Sequence, residues 1–149
     1  MPTYNVETVD QARDVIERFN GFHDGFIERL ALRSHDHFPE RGVHTTTGLL
    51  DLEVTFAHYN YGEGEPPPDR RIEATFTAVR DFVATFTGAP TDWPIIGLYL
   101  EIDTGIAESG RLLARLVQPR LVDHARWEHV EALRFTFERA RFWERQSPP

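Results

Sequence analysis

The feature that most constrains the fold of this chain is a strict alternation of apolar and polar residues in several short runs. In the clearest run, residues 50–58, apolar side chains and one histidine take the even positions while mainly polar ones take the odd positions. Successive side chains of a strand point to opposite faces of a sheet, so a period of two predicts a strand with one buried face. We therefore predict which residues lie inside and which outside: Leu52, Val54 and Phe56 inside, Asp51, Glu53 and Thr55 outside.

The alternation recurs in residues 26–33, 71–87, 95–102 and 130–143. Residues 71–87 also fit helical spacing, but their threonines favour strands, and Val79 marks a bulge where the alternation changes phase. Residues 95–102 are apolar on both faces, which predicts a central, doubly covered strand. A segment of either type begins at residue 111 and is expected to end at Pro119. The remaining residues predicted to be buried come from these runs: Leu98, Leu133 and Phe135.

One segment has helical periodicity instead. Between residues 8 and 20 the apolar positions recur at steps of three and four, which predicts a short amphipathic helix. Thr8 is a suitable N-cap with Gln11 three residues further on, and Asn20-Gly21 ends the helix. Several strands behind one helix indicate an α+β protein that is mainly β, an antiparallel sandwich or a bent sheet with one N-terminal helix. We expect one domain over residues 1–149, with a disordered tail at about 146–149.

Composition excludes several classes of function. The chain of 149 residues has no cysteine, which excludes disulfides, thiolate metal sites and cysteine nucleophiles. Its net charge of -8 argues against nucleic acid and anionic membranes as partners. The first residues lack a secretory signal and no apolar run is long enough for a membrane helix, so a cytoplasmic location is expected. The sequence leaves the oligomeric state open.

Three groups of residues are candidates for binding. Tyr59, Asn60 and Tyr61 precede a proline-rich loop and form either an exposed recognition surface or packing at a sheet edge. His23 and Asp24 lie at the junction between the helix and the next strand. There the carboxylate either orients the imidazole or accepts backbone N–H groups of the turn, in which Gly25 could supply a positive φ.

The third group is acidic. Residues 1–75 hold fourteen acidic and seven basic side chains. If Asp51 and Glu53 share an outer surface with loop carboxylates, they form a field that steers a basic protein partner. The loop residues concerned are Glu63, Glu65 and Asp69.

Histidines offer an alternative. His35 and His37 would project to the same side of a strand, and His44 or His58 could add a third ligand of a metal-dependent enzyme. A polar turn accounts for the same residues, and we expect neither a bound metal nor another cofactor. A small-ligand-binding protein is a further alternative.

The chain resembles a group of small bacterial proteins that includes uncharacterised families and immunity proteins of polymorphic toxin systems. The resemblance lies in the run Phe22-His23-Asp24-Gly25-Phe26-Ile27, followed by strands at residues 50–54 and 76–82, and covers residues 20–86. It implies a β-rich fold and a protein-binding role, and it carries no catalytic residue. We therefore expect a non-enzymatic protein-binding module, with neutralisation of a toxin as its most concrete form.

Overall fold

The structure, a computed structural model, describes residues 2–23, 25–35, 49–57, 71–86, 95, 97–102, 111–122 and 126–145. These residues form one α-helix, one 3-10 turn (Asn20–Phe22) and nine strands. In chain order the elements are β1 (Thr3–Val6), α1 (Val9–Arg18), β2 (Phe26–Ser34), β3 (Leu50–Ala57), β4 (Arg71–Thr77), β5 (Arg80–Ala84), β6 (Gly97–Ile102), β7 (Leu112–Val122), β8 (Arg126–Phe137) and β9 (Arg139–Arg145).

The nine strands form two antiparallel sheets. Sheet one has five strands in the order β1-β9-β4-β3-β2, and sheet two has four in the order β5-β8-β7-β6. The prediction of a mainly β fold with an N-terminal helix is confirmed, and residues 71–87 contain strands, not a helix. In the described part of the chain, no helix is both long enough and apolar enough to cross a lipid bilayer.

Phenylalanine rings join the two sheets. The ring of Phe76 in sheet one lies 4.8 Å from that of Phe135 and 5.0 Å from that of Phe137, both in sheet two. Edge-to-face contacts of this kind add to the hydrophobic stabilisation of the core. All six residues predicted to be buried are buried: Leu52, Val54, Phe56, Leu98, Leu133 and Phe135.

Helix α1 begins and ends where the sequence predicts. The Thr8 hydroxyl accepts the N–H of Gln11 (3.2 Å), while the Gln11 side chain accepts the N–H of Glu7 (2.8 Å). After Arg18 the chain turns through positive φ at Asn20, Gly21 and Phe22. A phenylalanine rarely adopts this conformation, and here its fully buried ring offsets the strain.

The change of phase at Val79 has a cause other than a bulge. Ala78 has a φ of 52°, and the Val79 N–H donates to the Leu50 carbonyl (2.7 Å) before the chain enters β5. The chain thus leaves sheet one and joins sheet two at this point. The register shift itself lies later, between Arg80 and Val83.

Two predictions about sheet two are wrong. Among the described strands β6 lies at an edge, and Tyr99 on its outer side is 45% exposed, whereas Leu98 and Leu100 are buried in the core. β7 continues through Pro119 instead of ending there. β6 flanks β7 only as far as Val117, so Pro119 occupies a stretch of β7 that has β8 as its described neighbour, and proline is tolerated at such an edge.

Candidate binding surface

The residues that the sequence singles out on β3 lie on the outer face of sheet one, the face turned away from sheet two. Arg29 pairs with Thr55, Ala31 with Glu53 and Arg33 with Asp51, while the residues between them point toward the core. The outer face of β2 and β3 is therefore a strip of basic side chains beside a strip of acidic ones.

Asp51 and Glu53 face outward as predicted, and both contact basic groups. A carboxylate oxygen of Asp51 lies 2.7 Å from Nε2 of His35, and a carboxylate oxygen of Glu53 lies 3.5 Å from the Arg29 guanidinium. Thr55 also faces outward as predicted, but it is only 2% exposed. Its hydroxyl donates to the carboxylate of Glu73 on the neighbouring strand (2.7 Å).

The other half of the outer face is rich in arginine. Arg145 pairs with Glu73, and the Arg141 guanidinium lies 4.9 Å from the centre of the half-buried Trp143 ring. Such a cation–π contact presents a flat aromatic and cationic surface. Register and alternation place six arginines on this face: Arg29, Arg33, Arg71, Arg139, Arg141 and Arg145.

The net negative charge of the protein comes from residues outside the described ranges. Ten of the 24 acidic residues, but only two of the 16 arginines, belong to the segments outside the described residues. The described part of the chain is therefore neutral by formal charge. A basic partner stays a prediction, and it depends on Glu63, Glu65 and Asp69, which lie outside the described residues.

Large apolar side chains remain exposed on and next to β2. Phe26 is 50% exposed, and Leu32 and Leu49 are each 45% exposed. Phe26 and Leu49 belong to the outer face, whereas Leu32 points to the inner face and is exposed there. The three residues lie along the whole length of β2, with Phe26 beside Ala57 at one end and Leu49 opposite His35 at the other. Single exposed apolar residues are common, but three of them along one strand are consistent with an interaction surface that follows that strand.

The turn before β2 differs from its prediction. Gly25 does not have a positive φ, and a Cβ added to it would lie 2.6 Å from the Ala57 carbonyl oxygen. Glycine is required there because β3 comes so close. His23 is exposed and its N–H donates to the Asn20 carbonyl, as a turn residue would, while Asp24 lies outside the described residues.

The remaining candidates are divided between described and undescribed segments. His35 is described and contacts Asp51, and no group of three metal-binding side chains occurs within the ranges that the structure covers. The other candidates lie outside those ranges: His37, His44, His58, Tyr59, Asn60 and Tyr61.

The outer face of sheet two carries a charged network that ties three strands together. Arg115 on β7 lies 2.7 Å from Glu131 on β8 and 3.2 Å from Glu101 on β6. The hydrogen bond to Glu131 and, to a smaller extent, the hydrogen bond to Glu101 raise the pKa of the Arg115 guanidinium above its ordinary value. This network links β6 to β7 and β8.

Sequence reasoning missed Leu32 and Arg33 as surface residues of interest. The alternation in residues 26–33 places Leu32 on the same side as Leu30, and the structure shows that this side faces inward although Leu32 is 45% exposed. Its position in an edge strand decides the exposure, and a single sequence contains no direct signal for strand order. Comparison with protein-family models, curated proteins and solved structures finds no match to this chain.

Proposed function

We propose that this chain is a non-enzymatic protein-binding module that contacts its partner through β2 and the outer face of sheet one. The observation that carries the proposal is the group of half-exposed apolar side chains on and next to β2: Phe26, Leu32 and Leu49. Burying them against a partner removes apolar surface from water, which is the main driving force of association.

The polar surroundings of these residues support the same function. Arginine and aromatic residues are enriched in protein interfaces and lysine is depleted, and the chain has arginines on this face and no lysine. The ion pairs Arg29–Glu53 and Arg145–Glu73 fix charged groups on a rigid sheet. A preorganised surface loses little side-chain entropy when a partner binds.

The most concrete form of this function is neutralisation of a toxin, as the resemblance to immunity proteins implies. A neutralising protein needs a rigid surface that covers or distorts its target, and the outer face of sheet one would supply it. The partner would then be a protein that damages cells when it is produced alone.

The test is capture of a stoichiometric partner by the immobilised full chain from lysate of the source organism. Phe26→Glu places a charge at the exposed apolar start of β2 and should weaken capture at least about tenfold. Val83→Glu is the matched control, because Val83 is equally exposed (55%) but lies on sheet two. Capture that is lost equally in both variants, or no partner at all, would contradict the proposal.

Two further measurements refine the result. Cells that produce the captured partner alone should stop growing, and cells that also produce the unaltered chain should grow. The Phe26→Glu variant should not restore growth. A basic partner should be captured less at high salt and by a variant with Asp51→Asn and Glu53→Gln. Indifference to both changes would exclude electrostatic steering by these carboxylates.

A further inference from the structure

At two leucines the backbone of β2 carries hydrogen-bonding groups that pair with no described strand. The N–H of His35 donates to the Leu49 carbonyl (3.0 Å), whereas the carbonyl of Leu50 turns the other way and accepts from Val79. Peptide groups alternate in direction along an antiparallel strand. Those of Ala31 and Arg33 therefore point to β3, and those of Leu30 and Leu32 point away from it.

β2 is an edge strand within the part of the chain that the structure describes, with β3 as its one described neighbour. A register shift between Ile27 and Arg29 interrupts its first part, while residues 30–34 pair regularly. A regular exposed edge is a template for another strand. The available length suits a segment of about five residues at the spacing of a β-strand.

The side chains along this edge define what such a segment would look like. Leu30 is half-buried and Leu32 is exposed on the inner face, so both would gain from apolar neighbours. Arg33 is exposed on the outer face and makes no ion pair with any described residue. Arg29 lies four residues earlier in the strand and on the same face. Opposite charges on facing strands attract each other.

We infer that β2 binds an extended segment of the partner protein as an additional strand of sheet one, and that this segment alternates apolar and acidic residues. Its apolar side chains cover Leu30 and Leu32, and its carboxylates face Arg33 and Arg29. This mode is β-strand addition, in which the backbone supplies affinity and alternate side chains supply specificity. The inference rests on the proposed function and specifies the chemistry of the partner.

Pairing with β2 of a second copy about Ala31 is disfavoured by charge. This pairing would bring the leucines together, but it would place Arg29 of each copy opposite Arg33 of the other. Like charges directly opposite each other destabilise a strand pair. The charge pattern therefore favours an acidic segment over this pairing of two copies.

The experiment uses the full chain and two capped peptides of seven residues. One alternates Glu and Val, and the control alternates Lys and Val, so that apolar content and length are equal. Nuclear magnetic resonance follows amide exchange as each peptide is added. The Glu peptide should slow exchange of the Leu30 and Leu32 amides at least about fivefold, and the Lys peptide should not.

Two variants separate edge pairing from other contacts. Leu32→Pro removes an N–H that points away from β3, so it should abolish peptide binding while leaving the β2–β3 pairing in place. Arg33→Glu should weaken binding of the Glu peptide about fivefold and strengthen binding of the Lys peptide. The control Arg139→Glu alters another exposed arginine of the same face, on β9, and should change neither.

Three outcomes would overturn the inference. They are an absence of protection at Leu30 and Leu32 at millimolar peptide, equal binding of both peptides, and protection of these amides by dimerisation without peptide. The proposed function fails separately. If a captured protein partner binds Leu32→Pro as tightly as the unaltered chain, protein binding stands and strand addition is wrong. If the Glu peptide binds but no protein partner is captured, β2 accepts an added strand and the proposed protein-binding function is wrong.

Discussion

At the scale of the residue, the core depends on phenylalanines that touch across elements distant in sequence. Phe22, in the turn after α1, has its ring 4.6 Å from that of Phe56 in β3 and 6.0 Å from that of Phe142 in β9. Burial of these rings stabilises a left-handed backbone that would otherwise be unfavourable. Removal of one ring therefore affects both the sheet and the turn.

Replacing Phe56 by alanine should lower the free energy of unfolding by about 3–5 kcal/mol, because the ring is enclosed and its loss leaves a cavity. Urea denaturation with an unchanged m-value would measure this. Phe86→Ala is the matched control, since Phe86 is 41% exposed and its loss should cost less than about 1 kcal/mol. A loss below about 1 kcal/mol for Phe56 would show that the inward face of β3 is assigned wrongly.

Two glycines should respond to alanine for different reasons. At Gly25 the new Cβ would meet the Ala57 carbonyl oxygen, and backbone must move, which should cost about 1–3 kcal/mol. At Gly21 nothing lies within 4 Å, and the cost of about 1–2 kcal/mol comes from the φ of +63° alone. Exchange of the amides at the start of β2 and the end of β3 should accelerate only in Gly25→Ala. Unchanged exchange there would argue against the close approach.

At the scale of the element, the alternation of residues predicted which segments are strands and which of their faces points inward. It did not predict the order of the strands in the sheets. β3 could be predicted because its polar and apolar residues separate cleanly, whereas β6 carries apolar residues on both faces and still lies at an edge. Thr55 points outward as predicted, but its burial was not predicted, because it contacts Glu73, a residue of another strand. The alternation of apolar and polar residues predicts which way a side chain points. How far that side chain is exposed depends on the strands beside it, which the local sequence does not contain.

The network around Arg115 should contribute to the attachment of β6. Arg115→Gln should lower the free energy of unfolding by about 0.5–1 kcal/mol, since these partly exposed pairs are screened by solvent. Because the pKa of the Arg115 guanidinium is raised in the folded protein, deprotonation of Arg115 removes this contribution only in strongly alkaline solution, as the pH rises from its ordinary pKa through the raised one. The control Arg126→Gln removes a more exposed pair with Glu128 and should have almost no effect in the same denaturation experiment. Equal losses in the two variants would contradict the role of the network.

At the scale of the whole molecule, charge and fold occupy different parts of the chain. The described residues are neutral by formal charge, and the excess of acidic residues belongs to internal segments outside the described ranges. The predicted carboxylates Asp51 and Glu53 were placed correctly on the outer face, but the sequence did not reveal the arginines that the neighbouring strands bring beside them. That juxtaposition follows from strand order, and it changes which partners the face attracts.

The most direct test of the account is hydrogen exchange of the β2 amides in the complex of the full chain with its captured protein partner. Strand addition to β2 predicts slower exchange at Leu30 and Leu32 on complex formation, with Ala31 and Arg33 little changed because they already pair with β3. Unchanged exchange at Leu30 and Leu32, with slower exchange along β5 or β6 instead, would contradict the account and move the binding site to sheet two.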